Sequence, residues 1–227
     1  MLIGTVWQNS PMTHPSFEIR LELAGWELVW IRLTGRPGYD VALAGLRDRV
    51  ARQAQLDHDI SQLAEHPPVA AMRRLFRAAG CDPTRYRPSS EALLRRILKG
   101  QELPAIHPLV DLNNCLSVAL AVPSCVMPVG SFTPPVTLRA GRPGESFASL
   151  RGPFHLEGKP LLADPAGPFG TPITDSERVK VHPDTHRALL VAYLPQGEVT
   201  AAAVWQTMED FLRDDPIATA ELVAKAV

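Results

Sequence analysis

The stretch from Asp164 to Ser176 holds the densest set of groups that could bind a small polar ligand. It reads Asp-Pro-Ala-Gly-Pro-Phe-Gly-Thr-Pro-Ile-Thr-Asp-Ser, so three prolines and two glycines restrain the backbone around hydroxyls and two carboxylates. A rigid loop of this kind can present backbone N–H groups and hydroxyls to a ligand. An ordinary connection between strands fits the same composition, and both interpretations stay open.

Cysteine and histidine offer two further kinds of chemistry. Cys125 could act as a nucleophile if a base lies beside it, although small buried cysteines are commoner than reactive ones. His182, Asp184 and His186 are residue types that bind metals. A metal site needs such side chains to converge, and positions in a surface loop between strands explain them more simply. We therefore predict no metal ion and no cofactor.

Basic residues are concentrated between positions 70 and 99. Two acidic residues, Asp82 and Glu91, stand there against eight basic ones: Arg73, Arg74, Arg77, Arg85, Arg87, Arg95, Arg96 and Lys99. This excess of six could contact a phosphate backbone, and a solvated helix face is the alternative. The net charge of -1 over 227 residues argues against a generally basic nucleic-acid-binding protein.

Several protein classes are excluded by what the sequence lacks. It contains no G-x-x-x-x-G-K-[ST] loop, G-x-G-x-x-G turn, H-E-x-x-H helix or G-x-S-x-G elbow. No run approaches the roughly 20 apolar residues of a membrane-spanning helix, and residues 1–7 lack the basic start of a secretory signal. The three cysteines are too few and too widely spaced for a disulfide framework. We expect a cytoplasmic protein with no membrane partner.

The elements that must position these groups begin with strands. Apolar and charged residues alternate over 17–23, which predicts a half-buried strand, and 26–33 forms a second candidate. Good helix formers dominate 41–79, and Pro67-Pro68 divides that stretch into two helices. Serine and glutamate at the start of 89–100 and glycine at its end predict a third helix with a serine cap.

Further along, Asp111 is the expected cap of a helix that ends at Pro123. Prolines and glycines then separate short apolar runs, of which the best strand candidates are 136–138, 154–156 and 189–193. Helical spacing predicts a helix over 200–212, and a short helix is expected after Pro216. Strands and helices thus occur in blocks, which favours an α+β domain over a doubly wound one.

Residues 87–97, 103–106 and 109–114 resemble the editing domain of bacterial phenylalanyl-tRNA synthetase beta chains. They are more closely similar to free-standing relatives of that domain, the tRNA-binding B-three/B-four proteins. The family's helix start is matched here by Pro104, Val110, Asp111 and Asn114. The second half of the domain is matched by Leu162-Ala163-Asp164, Gly167, Gly170 and Thr185, so the similarity spans roughly 80–195.

This resemblance implies an α+β fold with a mixed-sheet or β-sandwich core and flanking helices. It also implies a single domain over residues 1–227, in which 1–79 complete the family-like core and 200–227 form C-terminal helices. In the synthetase the domain removes tyrosine wrongly attached to the phenylalanine tRNA. The expected site is an amino-acid pocket that faces a tRNA 3′ end, where water attacks an activated ester.

Two departures separate this chain from the synthetase. The family places a histidine two residues after the proline that ends its helix, whereas Pro123 is followed by Ser124 and Cys125. The synthetase's glutamate, which follows the threonine matched by Thr185, is replaced by the apolar run 189–192. Selectivity for tyrosine is therefore not carried over. The synthetase's catalytic domain has no counterpart here, so we expect no ligase activity.

The resemblance also implies roles for individual residues. Pro123, Ser124 and Cys125 would line one wall of the pocket, and Asn114 would brace it. Backbone or hydroxyl donors would come from Gly170, Thr171 and Thr174, while Asp175 and Ser176 would orient water or an amino group. Contacts to tRNA would come from Arg87, Arg95, Arg96 and Lys99. Each position has a structural alternative: Asn114 as a bracing amide, Cys125 as core and Asp175 as a turn cap.

Three hypotheses of function follow. The first is an aminoacyl-tRNA deacylase that acts in trans, with tRNA as its partner. The second is a non-catalytic module that binds tRNA, an amino acid or a similar small metabolite, and loss of the family histidine and glutamate favours it. The third is a hydrolase of other esters or amides that uses Cys125. The sequence leaves the oligomeric state open.

Overall fold

The computed structural model describes residues 17–36, 40–150 and 152–227. The helices of this part are α1 (Asp40–Asp57), α2 (Pro67–Ala79), α3 (Ser89–Leu98), α4 (Pro108–Leu120) and α5 (Ala201–Asp214). The strands are β1 (Ile19–Leu21), β2 (Trp26–Gly35), β3 (Ser124–Pro128), β4 (Val136–Ala140), β5 (Ser146–Ser149), β6 (Gly152–His155), β7 (Pro160–Asp164), β8 (Gly167–Gly170), β9 (Arg187–Pro195) and β10 (Ala218–Ala226). No described helix has both the length and the apolar character that crossing a bilayer requires.

The strands form two four-stranded sheets and a separate hairpin. One sheet has the order β10-β2-β9-β3 and is antiparallel throughout. The other has the order β1-β4-β7-β8, in which β1 and β4 run parallel and the remaining pairs run antiparallel. β5 pairs with β6 alone. The predicted α+β class with a mixed sheet is confirmed.

Strand β2 shows how the sequence builds the layers. Its residues alternate between two cores, because successive side chains of a strand point to opposite faces. Trp26, Leu28 and Trp30 pack with residues of β4, β7 and β8 in what we call the inter-sheet core. Val29, Ile31 and Leu33 pack instead against α1, α3, α4 and α5. The molecule is therefore a sandwich of two sheets with a helical layer on the outer face of one.

Two helix starts differ from the prediction. Helix α4 begins at Pro108, where the His107 side chain accepts the Leu109 N–H and caps the helix. Asp111 lies inside the first turn, where it is buried, accepts the Ile106 N–H at 2.9 Å and pairs with Arg47 at 2.5 Å. Helix α3 was predicted to have a serine cap, but Pro88 occupies the N-cap position and no side chain caps that helix.

The predicted C-terminal helices are only half correct. Helix α5 is capped by Thr200 as its spacing indicates. Residues 218–226, however, form strand β10 and not a short helix, and they pair with β2 from Ala218–Gly35 to Ala226–Leu28. Pro216 ends the helical run. A helix over these few residues would be only marginally stable, whereas the edge of β2 offers them a row of backbone hydrogen bonds.

Candidate functional site

The stretch 164–176 is part strand and part tight turn, where the sequence predicted a single rigid loop. Asp164 ends β7, and Gly167–Gly170 returns as β8. The Thr171 hydroxyl closes the following turn, because it accepts the Thr174 N–H at 2.9 Å and donates to the Thr174 carbonyl at 2.6 Å. The Thr171 hydroxyl and the Thr174 N–H, which were predicted to donate to a ligand, thus form hydrogen bonds within the turn. The turn returns Asp175 to a position opposite Gly170.

Two polar side chains meet above Gly170. A Cβ atom added at Gly170 would lie 3.0 Å from Asp175 Oδ1 and 3.8 Å from the Tyr193 hydroxyl, so both groups border the space that glycine leaves. Both atoms are buried and neither meets strict hydrogen-bond geometry with a described residue, although the Cys125 thiol interacts with both groups. The Ser176 hydroxyl is also buried without a partner among the described residues. Buried polar groups are nearly always paired, which makes these atoms candidate contacts for a ligand.

Cys125 completes this group, which we call the Asp175 cluster: Cys125, Gly170, Asp175 and Tyr193. Ser176 follows Asp175 in extended backbone, so its side chain points to the opposite face and the predicted pairing of the two is not formed. The Cys125 thiol donates to the Thr171 carbonyl at 3.3 Å. Tyr193 lies on β9 next to β3, where its N–H donates to the Pro123 carbonyl at 2.9 Å. No sequence pattern assigned a role to Tyr193. Its position in the apolar run 189–193 was the available signal, since a tyrosine buried there needs a partner for its hydroxyl.

Burial sets the charge state of the cluster. It raises the pKa of Asp175 to about 6, against an ordinary value of 3.8. Burial likewise raises the pKa of Cys125 and of Tyr193, and the Asp175 charge raises both further. Near neutral pH the cluster therefore holds one carboxylate beside two neutral groups that can donate protons. Such a set can orient a water molecule or accept a hydrogen bond from an ammonium group.

The Cys125 thiol should be unreactive in the folded chain. It is 5% exposed and protonated, and alkylating reagents attack the exposed thiolate. The other two cysteines are also buried with raised pKa values. With iodoacetamide at pH 8, we expect native protein to take up less than about a tenth of the label that the urea-unfolded chain takes up. Peptide mass spectrometry measures this, and rapid labelling of native Cys125 would restore the nucleophile hypothesis.

The predicted pocket wall is divided between two faces of the sheet. Ser124 points toward α4, where its hydroxyl donates to the Asn113 carbonyl at 3.1 Å and Asn113 Nδ2 donates to the Ser124 carbonyl at 3.3 Å. Cys125 points the opposite way, into the inter-sheet core. Asn113 is therefore the amide that braces β3, while Asn114 is half-buried one position along α4. The structure brings neither Ser124 nor Asn114 to the Asp175 cluster.

The predicted tRNA contacts lie on or beside α3 and separate into two pairs. Arg87 and Arg95 both approach the buried carboxylate of Glu91, at 3.3 Å and 2.9 Å. Arg96 instead donates to the Glu102 carbonyl at 2.7 Å, and Lys99 is exposed at the far end of the helix.

Two cavities open elsewhere on the described surface. One of about 310 Å³ lies between α1, α4 and α5 above Leu46, Val50 and Phe211. The other, of about 430 Å³, is lined by Arg139, Asp164 and other residues of the second sheet. Neither includes a residue of the Asp175 cluster. His182, Asp184 and His186 are exposed, and no three metal-ligating side chains converge within the described residues.

A protein-family model matches more than half of the chain. The model of the B3/4 domain matches residues 71–206, which is more than half of the chain. Among solved structures, an N-terminal fragment of the phenylalanyl-tRNA synthetase beta-subunit from Pyrococcus horikoshii matches with 13% sequence identity and a TM-score of 0.47. That match covers 96% of this chain and 54% of the other, so the chain spans about half the length of that structure. No curated protein matches the sequence.

Proposed function

The chain belongs to the B3/4 domain family, and we propose that it binds the aminoacyl end of a tRNA at the Asp175 cluster and hydrolyses the ester bond. The family assignment agrees with the resemblance to the synthetase editing domain, so the domain is related to tRNA synthetases. The single observation that carries the activity is that the buried Asp175 Oδ1 and the buried Tyr193 hydroxyl border the same space at Gly170.

The proposed reaction needs one base. A water molecule hydrogen-bonded to the Asp175 carboxylate attacks the ester carbonyl carbon, and its proton passes to the carboxylate. The bond between that carbon and the ribose oxygen breaks, and the ribose oxygen takes that proton from Asp175 as it leaves, which restores the carboxylate. A carboxyl group with a pKa of about 6 suits this role, because it is ionised at neutral pH and still basic enough to accept the proton. The Tyr193 hydroxyl would donate to the carbonyl oxygen.

Hydrolysis is tested with tRNAs that carry radiolabelled correct and incorrect amino acids. We expect selective release of one amino acid at pH 7.5, and a fall in the enzymatic rate below about pH 6 as Asp175 becomes protonated. Asp175→Asn should lower the rate by about 100-fold or more. Asp184→Asn is the matched control, since it removes the same charge from an exposed position. Release that is equal in both variants, or absent from every tRNA, contradicts the catalytic proposal.

A second candidate function is amino-acid binding without hydrolysis. The observation that favours it is Cys125, which stands where the family has a histidine and is buried as a neutral thiol. In this case Asp175 pairs with the ammonium group of the ligand. A free amino acid at one hundred times its dissociation constant would then stabilise the chain by about 2.7 kcal/mol, and Asp175→Asn would abolish the effect. A thermal-shift screen over all amino acids measures it, and no shift for any of them counts against binding.

A further inference from the structure

Glu91 is the centre of a charge cluster that is not neutral. Its carboxylate is fully buried in the first turn of α3 and is surrounded by three guanidinium groups. Arg73 Nη1 lies 2.9 Å from one carboxylate oxygen, while Arg95 Nε and Arg87 Nε lie 2.9 Å and 3.3 Å from the other. Three positive charges against one negative leave an excess of two. Asp82, which is exposed, offsets part of the Arg73 charge.

The three arginines differ in how many of their N–H donors are already used in hydrogen bonds. Arg73 uses both of its terminal nitrogens inside the protein, on Glu91, the Pro83 carbonyl and the Thr84 hydroxyl. Arg95 donates its Nε–H to Glu91, whereas Arg87 Nε lies within ion-pair distance of Glu91 without a hydrogen bond. Their terminal nitrogens make no hydrogen bond to the described residues, and their side chains are 38% and 25% exposed. Two oriented guanidinium groups thus face solvent with unused N–H donors.

The start of α3 is joined to the segment that carries Asp175. Ser89, two residues after Arg87, donates its N–H to the Pro172 carbonyl at 2.9 Å. The first turn of α3 is therefore fixed to the segment that carries Asp175. The Ser89 hydroxyl is buried there without a partner. A polynucleotide whose 3′ end reaches Asp175 must leave the site past neighbouring surfaces, of which the start of α3 is one.

We infer that Glu91 holds Arg87 and Arg95 as a clamp for a phosphodiester group of the tRNA acceptor end. The identity of the polynucleotide rests on the proposed function, whereas the clamp itself rests on the contacts of α3. Planar guanidinium groups bind phosphate oxygens through paired N–H donors, and the N-terminus of a helix favours the same negative charge. Glu91 is a positioning residue in this arrangement, because it acts through the arginines.

A pair of double variants tests the clamp. Arg87→Ala/Arg95→Ala and the control Arg52→Ala/Arg213→Ala each remove two positive charges, and the control takes exposed arginines of α1 and α5 that have no proposed contact to tRNA. Binding of uncharged tRNA is measured over a range of salt concentrations, so that hydrolysis plays no part. We expect Arg87→Ala/Arg95→Ala to bind tRNA about 10-fold more weakly or worse, and the slope of log affinity against log salt concentration to fall in magnitude by about one. The control should change the affinity for tRNA by less than about 3-fold. Equal losses in the two variants would overturn the clamp.

Glu91→Gln tests the positioning role. Removal of a negative charge beside three arginines should tighten tRNA binding if only net charge matters. The clamp predicts the opposite, because the neutral amide holds the guanidinium groups less firmly and binding weakens. Unchanged or tighter binding would overturn the role of Glu91. If this variant fails to fold, as circular dichroism would show, the tRNA affinity of the Arg87→Ala/Arg95→Ala variant still tests the clamp.

The same measurements separate the two proposals. If Arg87→Ala/Arg95→Ala loses affinity for tRNA while the natural chain releases no amino acid, the results support the clamp and contradict the hydrolysis proposal. If the natural chain releases an amino acid and the double variant binds uncharged tRNA normally, the results support hydrolysis and contradict the clamp.

Discussion

Asp175→Asn is expected to stabilise the folded chain by about 2–3 kcal/mol at pH 7.5 and to change its stability little near pH 4. Burial raises the pKa of Asp175 to about 6 from 3.8. The folded state therefore holds the proton more tightly than the unfolded state does. Stability conferred by this group is present below about pH 4 and is lost as the pH rises to about 6. Asparagine carries no charge and escapes that loss.

Urea unfolding at pH 4, 5 and 7.5 measures the effect as the difference between the two proteins, which cancels the titration of other groups. Asp164→Asn is the control with the opposite sign. Burial acts to raise the pKa of Asp164, but hydrogen bonds from Arg178 and the Thr133 N–H outweigh it and hold that pKa below the usual range. This variant should lose stability at pH 7.5. If Asp175→Asn shows no gain at pH 7.5, the carboxylate is not buried as the structure has it.

The largest loss of stability is expected at Trp30, which fills the centre of the inter-sheet core. Its ring is fully buried and lies 4.9 Å from the Phe17 ring and 5.6 Å from the Phe132 ring, measured between centroids. Trp30→Ala should lower the free energy of unfolding by about 3–5 kcal/mol, because it removes this contact and leaves a cavity between the sheets. Urea unfolding followed by circular dichroism measures the loss.

Trp30→Phe is the matched control for that variant. The indole N–H is buried with no hydrogen-bond partner, so phenylalanine removes an unsatisfied donor along with part of the ring. We expect its cost to stay below about 1.5 kcal/mol. Equal losses for the alanine and phenylalanine variants would contradict a packing role for the ring.

The function of the Asp175 cluster depends on what replaces the family histidine. Cys125 occupies that position but is too well buried, and its pKa is raised too far, for a general base or nucleophile. The hydrolysis proposal therefore transfers the base to Asp175, five residues after the end of β8. The binding proposal leaves the cluster without a base and gives Asp175 an ammonium partner. The Asp175→Asn variant distinguishes the two, because it abolishes ligand binding only in the second case.

Much of the fold could be predicted where neighbours in sequence decide the structure. The apolar run 26–33 predicts β2 because its residue types favour strands, and the helical spacing of apolar residues over 200–212 predicts α5. The prediction was wrong at residues 218–226. Local propensity favoured a helix there, and pairing with β2 across 183 or more residues of chain produced a strand.

The α+β class, the family resemblance and the choice of segment 164–176 as a candidate site follow from residues that are adjacent in the chain, so they could be predicted before any tertiary contact was known. Only the tertiary structure brought Tyr193 and Cys125 to Asp175, turned Ser124 away from them and left Arg87 and Arg95 with free donors around Glu91. These relations join residues of separate elements, and their energies arise from burial and lost hydrogen bonds. Neither quantity exists until the sheets and helices have packed.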